Sequence, residues 1–349
     1  MLTGLVVWTS TAKPSYVVET VAFPQEWGYA FADSMDRYGR HIVVAKRTAT
    51  APATNVFALS TKDGTTALAA EAGVGVMQIA SVLDDGTVVG TAFRDAYGTS
   101  PAPFGPFAIG PSKTIRDSLS LIANKHYVEL IGANDKGDVA ANIYRDPPVN
   151  SFRDAIYGIS AVVDGKKIDL ENQRAFAMNG EGAIVCSDPD WADQVVTYDH
   201  GKLNRLFHDS NRGLQPEFRP TGISATGAVI GSDGNMQQTF VLFEDGAYMH
   251  IQGRTDQFMI ASSINSSNEV VGTYSNGGGS GTRPRDPDGF LWSGHRLYAL
   301  SSLVDLPKGS MIVGVQQIID NGDILVTLAL DHDWTKTVPA VLRRKHTSN

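Results

Sequence analysis

Aromatic and paired charged side chains gather in five short stretches of this sequence. They are Arg94-Asp95-Ala96-Tyr97, Arg145-Asp146-Pro147-Pro148, Asp188-Pro189-Asp190-Trp191-Ala192-Asp193, Arg283-Pro284-Arg285-Asp286-Pro287-Asp288 and Asp331-His332-Asp333-Trp334. Trp and Tyr offer flat faces for stacking, and Asp and Arg offer directional hydrogen bonds. Together they suit a sugar ring or a protein partner. Arg94, Tyr97, Arg145, Asp190, Trp191, Arg285, Asp286 and Trp334 are the candidate binding residues. Asp-Pro and Arg-Asp are also ordinary residues of solvated turns. It is the recurrence of one chemistry in five places that singles these stretches out.

Signals for catalysis are sparse. Arg285-Asp286-Pro287-Asp288-Gly289 is similar to an Asp-Pro-Asn-Gly element of five-bladed glycosidases, which also need carboxylates on inner strands. Ser81 to Gly86 falls short of a sialidase Asp-box, because no aromatic follows the turn. Asp188, Asp190 and Asp193 could reach a calcium ion, but their spacing matches no known loop. The eight His residues show no metal-ligand spacing, there is no phosphate loop, and no cofactor is expected. The one cysteine, Cys186, lies in an apolar run and reads as a small buried hydrophobe.

The elements that must position these stretches repeat. A polar residue, a turn Gly or Asn and a pair of β-branched residues recur, with the turn residue at Gly39, Gly86, Gly137, Gly182, Gly227, Asn268 and Gly322. The spacings are 47, 51, 45, 45, 41 and 54. Asx and Ser side chains cap such a turn, and Gly or Asn accepts its positive φ. A second hairpin follows each of the first six, at Asp63-Gly64, Pro111-Ser112, Asp164-Gly165, His200-Gly201, Asp245-Gly246 and Ser293-Gly294. Two hairpins per period of 40–50 residues make a four-stranded propeller blade. The expected fold is therefore all-β: a seven-bladed propeller of four-stranded antiparallel blades with almost no helix.

The expected blades are 24–71, 72–122, 123–171, 172–215, 216–256, 257–309 and 310–349, in a single domain. The last blade lacks an outer strand, whereas Tyr16 to Val21 forms a spare one. That strand should pair with Lys336 to Leu342 and close the ring, removing two raw edges. Six- and eight-bladed counts are the rivals. In such a disc the links between second and third strands, which carry all five stretches, emerge on one face.

Ile264-Asn265-Ser266-Ser267-Asn268-Glu269-Val270-Val271-Gly272, followed by Gly289-Phe290-Leu291-Trp292-Ser293-Gly294 and Leu297-Tyr298-Ala299-Leu300, resembles the HAF repeat of extracellular propeller-like proteins. Residues 223–251 resemble it more weakly. The His of that pattern is missing, since Asp288 and Gly289 precede Phe290. The resemblance implies an extracellular or surface location and supplies no catalytic residues.

The net charge of −8 argues against a nucleic-acid backbone as partner. No run approaches the roughly 20 apolar residues of a membrane span. Met1 to Trp8 lacks a basic leader, so synthesis and assembly in the cytoplasm are compatible with the sequence. The expected function is a non-catalytic recognition or structural module that binds a protein or surface glycan through one loop face, within a larger assembly such as a bacteriophage tail or a bacterial surface. The alternative is a carbohydrate-active enzyme, a glycoside hydrolase or lyase, with its site at the central channel.

Overall fold

The computed structural model describes residues 13–47, 55–68, 76–94, 102–122, 127–144, 156–171, 173–187, 194–199, 201–208, 219–232, 239–251, 253, 257–276 and 285–345. They form seven antiparallel sheets in chain order, spanning 31–68, 76–109, 128–171, 174–208, 219–251, 257–299 and 311–344, the last joined by Tyr16–Thr20. The first strand of each sheet touches the first strands of its two neighbours, and the seventh returns to the first. The chain is a closed seven-bladed β-propeller.

The repeating turn is built as its residues require. Gly39, Gly86, Gly137, Gly182, Gly227, Asn268 and Gly322 join the first and second strands of successive blades, all at positive φ between 57° and 93°. Each donates its N–H to the carbonyl three residues back. That earlier position holds Asp36, Asn134, Asn179, Ser224 and Asn265 in five blades, all buried. In blades two and seven it holds Leu83 and Ile319, so Asp84 and Asp320 stand one place later than the cap.

The caps also tie each blade to the next. Asn134 Nδ2 donates to Gly180 O at 3.0 Å, Asn179 Nδ2 to Ser224 O at 2.7 Å, Ser224 Oγ to Asn268 Oδ1 at 3.3 Å and Asn265 Nδ2 to Ile319 O at 3.4 Å. Where a cap is missing or does not reach, other groups serve. Asp84 N donates to Asp135 Oδ1 at 2.8 Å, Arg40 Nη2 to Asp84 O at 3.3 Å and Arg343 Nη2 to Gly39 O at 3.1 Å. These bonds cover all seven junctions and form a belt around the turn face.

The described core divides the same way, into seven clusters that each lie between two adjacent blades. The second strands are buried on both faces, as in Val88-Val89, Val139 to Tyr144 and Ile324 to Ala329.

Blade two departs from the four-stranded expectation. Among the described residues it has three strands, and the chain then forms helix α1 (Lys113–Ile122) where the other blades turn into a fourth. Pro111-Ser112 is therefore the start of a helix and not a hairpin turn. Ser112 Oγ accepts from Ile115 N at 3.4 Å as an N-cap, and Ile115, Leu119 and Ile122 recur at helical spacing. Those three side chains fill the cluster between blades two and three. The uncovered third strand carries Pro103 and Pro106, which blunt an edge by removing donors.

The ring closes as the termini suggest, with the register displaced toward the C-terminus. Tyr16–Thr20 pairs with Ala340 to Arg344, from Tyr16↔Arg344 to Thr20↔Ala340. Tyr16 is 2% exposed, and its hydroxyl accepts from Arg344 Nη2 at 2.9 Å. Arg344 also pairs with Glu269 of blade six at 2.9 Å. Burial works to raise the Glu269 carboxyl, but bonds from Arg344, Ser293 and Asn265 outweigh it and hold the group below its ordinary range.

Two outcomes follow from this closure. Deleting residues 1–22 should lower the thermal midpoint by several degrees, because it reopens an edge and removes Tyr16 and Val21 from the clusters on the two sides of blade seven. Glu269→Gln should cost about 3 kcal/mol at neutral pH by leaving Arg344 without its buried partner. A depressed carboxyl stabilises the fold above its unfolded pKa, and that stability is lost as pH falls through the folded value. Wild type should thus lose stability below about pH 4.5, with a flatter acid limb in the variant, as pH-dependent urea melts would measure.

Candidate functional site at the mouth of the axis

The first strand of each blade has no hydrogen-bonded neighbour on its axial side. Each also carries a β-bulge six residues before the turn, at Asp33, Ala80, Ile131, Phe176, Thr221, Ser262 and Gln316. A bulge re-aims side chains and is common beside functional sites. The residues just before the bulge are buried in six of the seven blades, while the bulged residues themselves keep some exposure. They line the axis. Two residues further from the turn a second ring forms the mouth on the opposite face: Phe31, Gln78, Glu129, Arg174, Ile260 and Gly314, with the backbone of Arg219 completing it.

Side chains of the preceding blade take up part of the unpaired axial backbone. Thr327 Oγ1 accepts from Ala32 N at 3.0 Å and Thr91 Oγ1 from Leu130 N at 2.7 Å. Asn142 accepts from Ala175 N at 2.8 Å and donates to Ala175 O at 3.1 Å. All three stand five residues after their turn. The mouth is thereby set on a rigid wall.

The mouth has a polar sector and an apolar one. In the polar sector the Tyr144 hydroxyl donates to Glu129. Burial, then the charge and hydrogen bond of Glu129, push the Tyr144 hydroxyl far up, against an opposing pull from nearby Arg174. The Arg174 guanidinium lies over the Phe176 ring at 5.3 Å, and its Nε is enclosed with no acceptor. Gln173 Oε1 beside it is enclosed with no donor. In the apolar sector Ile260 is 41% exposed, Phe31 packs edge-on to Tyr29 at 5.8 Å, and Gly314 presents no side chain.

Deeper along the axis, Asp33 accepts from Ser34 Oγ at 3.2 Å, and burial pushes its carboxyl up to about 6. Gln316 Oε1 is likewise enclosed without a donor. These residues were missed from sequence because they sit inside strands. The signal was available: with the repeats aligned on the turn residue, the two axial columns hold most of the charged and amide side chains of the first strands.

The candidates read from sequence fare differently. Tyr97, Arg145, Asp190 and Trp191 lie outside the described residues. Arg94 ends the second strand of blade two, and Arg285 and Asp286 begin the third strand of blade six, so their backbones stand at the link face. Trp334 is half-buried at that same face. Its link is not long as expected: Asp331 and His332 form a two-residue turn, at φ 53° and 55°, that closes the second and third strands of blade seven. Asp288 is occupied structurally, accepting from Gly289 N at 2.7 Å, Ser301 N at 3.3 Å and Tyr274 Oη at 3.3 Å. Cys186 is fully buried, and burial pushes its thiol up to about 12.

Among the described residues no three His, Cys, Asp or Glu gather as a metal site, and no helix is long and apolar enough to cross a membrane. No family model matches the chain. No curated protein matches it either. Similar solved structures exist at the level of fold. The β-propeller domain of the Trilobed protease of Pyrococcus furiosus, which has an open velcro topology, aligns at 10% identity and a TM-score of 0.52, over 92% of this chain and 96% of that one. A prolyl endopeptidase aligns at 10% identity and 0.54, over 93% of this chain and 51% of its own. The acylaminoacyl peptidase of Pyrococcus horikoshii aligns at 10% and 0.50, over 95% and 54%. At such identities the likeness is one of architecture, the β-propeller.

The raised Asp33 carboxyl makes a checkable statement about the axis. A raised acid binds its proton more tightly in the folded state, so its contribution to stability falls as pH rises from about 4 toward about 6. Asp33→Asn should stabilise the protein at pH 7 by about 1–2 kcal/mol, allowing for water on its open side, and should do little at pH 4. Thermal melts at the two pH values measure this.

Proposed function

We propose that this propeller is a recognition module that binds a protein partner through the link face and the mouth of the axis, as part of a larger assembly. The observation that carries the reading is the difference between the two faces. On the turn face, caps and turn carbonyls are joined blade to blade in a closed belt. At the mouth on the other face, Gln78 is exposed and Ile260 stands 41% exposed. Loops and rims held by a rigid scaffold are where binding usually resides. The reading fits a phage tail component and a bacterial surface protein alike, and a surface glycan is the competing ligand.

A second reading, a carbohydrate-active enzyme at the channel, draws on Asp33. A carboxyl near 6 on an inner strand is suited to general-acid work. It lacks a second carboxyl placed for the reaction, because Glu129 stands two blades away and is engaged by Tyr144.

The test is a pull-down from the native source alongside a glycan array. Trp191→Ala and Trp334→Ala should each weaken capture by roughly 2 kcal/mol while leaving the melt unchanged. Asp245→Ala, in a hairpin turn on the opposite face, should leave capture intact. Loss with the turn variant and retention with both Trp variants would place binding on the other side of the disc. Hydrolysis of a bound glycan that Asp33→Asn abolishes would favour the enzyme.

A further inference from the structure

The ring of bulged residues inside the axis stands apart from the link face, and what it can hold does not depend on whether that face binds. We propose that the lumen of the axis, at the level of the bulges, is a site for a primary alkylammonium group, with Asp33 as the partner of its charge, the hydroxyls of Ser262 and Thr221 as further acceptors, and Ala80, Ile131 and Phe176 as the wall for its alkyl chain.

The seven bulge positions divide by chemistry into two unbroken arcs. From blade five round to blade one they read Thr221, Ser262, Gln316 and Asp33, and from blade two to blade four Ala80, Ile131 and Phe176. Thr221 is exposed and the others are half-buried, so open space reaches this level of the axis. Thr221 Oγ1 donates to Ala261 O at 3.1 Å, which leaves its lone pairs to accept. The Ser262 hydroxyl has no partner among the described residues and is not enclosed. Gln316 is wall only, because its Oε1 is enclosed.

Asp33 is the one carboxylate of this ring. It accepts from Ser34 Oγ, and its other oxygen has no donor among the described residues and is not enclosed. Burial raises its carboxyl, the Ser34 bond lowers it, and no neighbouring charge acts on it. The strands packed against Phe31–Met35 account for this. Val76–Val82, Met311–Ile318 and Ile324–Leu330 carry no charged residue. Ile42–Arg47 carries Lys46, which donates to Trp27 O at 2.7 Å, and Arg47 at its link end. Asp333–Arg344 carries Asp333 and Lys336 toward the link end, and Arg343 and Arg344 paired with Asp323 and Glu269 at the turn end. At the mouth, Glu129 and Arg174 stand across the axis on blades three and four. Asp33 is thus an ionised acid at neutral pH, largely desolvated and without a counter-charge, and a cation entering the lumen supplies one. A calcium ion wants about six to eight oxygens and finds one carboxylate here. An ammonium is served by one carboxylate and neutral acceptors, met directly or through a water, and the apolar arc suits the chain that carries it.

The experiment follows the thermal midpoint of the full chain with n-butylammonium chloride at pH 7.5. Tetramethylammonium chloride and n-butanol at equal concentrations are the controls. Only n-butylammonium should raise the midpoint, and saturably, because the first control has no N–H donors and the second no charge. Asp33→Asn, which removes an uncompensated charge and so keeps the fold, should abolish the rise. Ser262→Ala combined with Thr221→Val should weaken the apparent affinity several-fold. The amine stays charged while Asp33 takes up a proton below about pH 6, so wild-type affinity should fall about tenfold between pH 7.5 and pH 5. A terminally blocked glycine peptide with one central lysine and putrescine then distinguish the source of the ammonium: tighter binding of the peptide assigns it to a protein side chain, tighter binding of putrescine to a free amine. No rise, an equal rise with tetramethylammonium, an undiminished rise in Asp33→Asn, or an affinity that ignores pH would each overturn the proposal. The reading of the link face keeps its own test in Trp191→Ala and Trp334→Ala.

Discussion

No blade of this protein has a core of its own. Each of the seven clusters of buried side chains is shared between neighbouring sheets, and the cluster joining the last blade to the first draws on Val21, Ala32, Ile42, Val44, Ile319, Leu325 and Val341. A ring of this kind cannot be partly folded without leaving two wet apolar faces, so everything else depends on closing it. Closure comes from opposite ends of the sequence, in the pairing of Tyr16–Thr20 with Ala340 to Arg344. The buried Tyr16–Arg344–Glu269 contact then fastens that outer strand to blade six. Covalent continuity thus runs across the seam of the ring, in the last blade itself.

Closure also explains why the two faces differ. Turn residues on one face sit close to the turn of the next blade, so their polar groups meet and are satisfied there. On the axial side, a first strand has a neighbour at an angle and not a parallel partner. The bulge in every first strand turns one residue toward the axis, and Thr91, Asn142 and Thr327 of the preceding blades take up backbone that the missing partner would have bonded. The result is a wall whose backbone is fixed and whose axial side chains vary from blade to blade.

The sequence disclosed the ring through backbone demands that only a few residue types meet. A positive φ at each first turn restricts the position to Gly, with Asn268 as the one substitute, and a buried cap wants Asx or Ser. Such constraints print a period that survives wide variation elsewhere. Helix α1 was hidden because only Ile115, Leu119 and Ile122 carry its pattern in ten residues, and the repeat made Pro111-Ser112 look like another hairpin. The outer strand of blade two is thus replaced, without breaking the ring, by any element that fills the same cluster. The mouth was hidden for the opposite reason. Glu129 and Arg174 lie in first strands whose alternation reads as blade interior, and the bulge that follows each of them leaves no residue signature. Trp334 was legible as an aromatic in a link, but the tightness of its Asp331-His332 turn was not, because it lacks the Asn-Gly or Asp-Gly pair that marks a two-residue hairpin.

Comparison among the seven copies of the unit separates the two kinds of position. One place before the bulge reads Ala32, Ile79, Leu130, Ala175, Pro220, Ala261 and Val315, all apolar and six of them buried. One place further from the turn reads Phe31, Gln78, Glu129, Arg174, Arg219, Ile260 and Gly314, with no common size, charge or polarity. Packing cannot demand that diversity, since each copy meets the same kind of wall. A column so diverse, in the one place where all seven blades meet, is not set by the packing that fixes its neighbours.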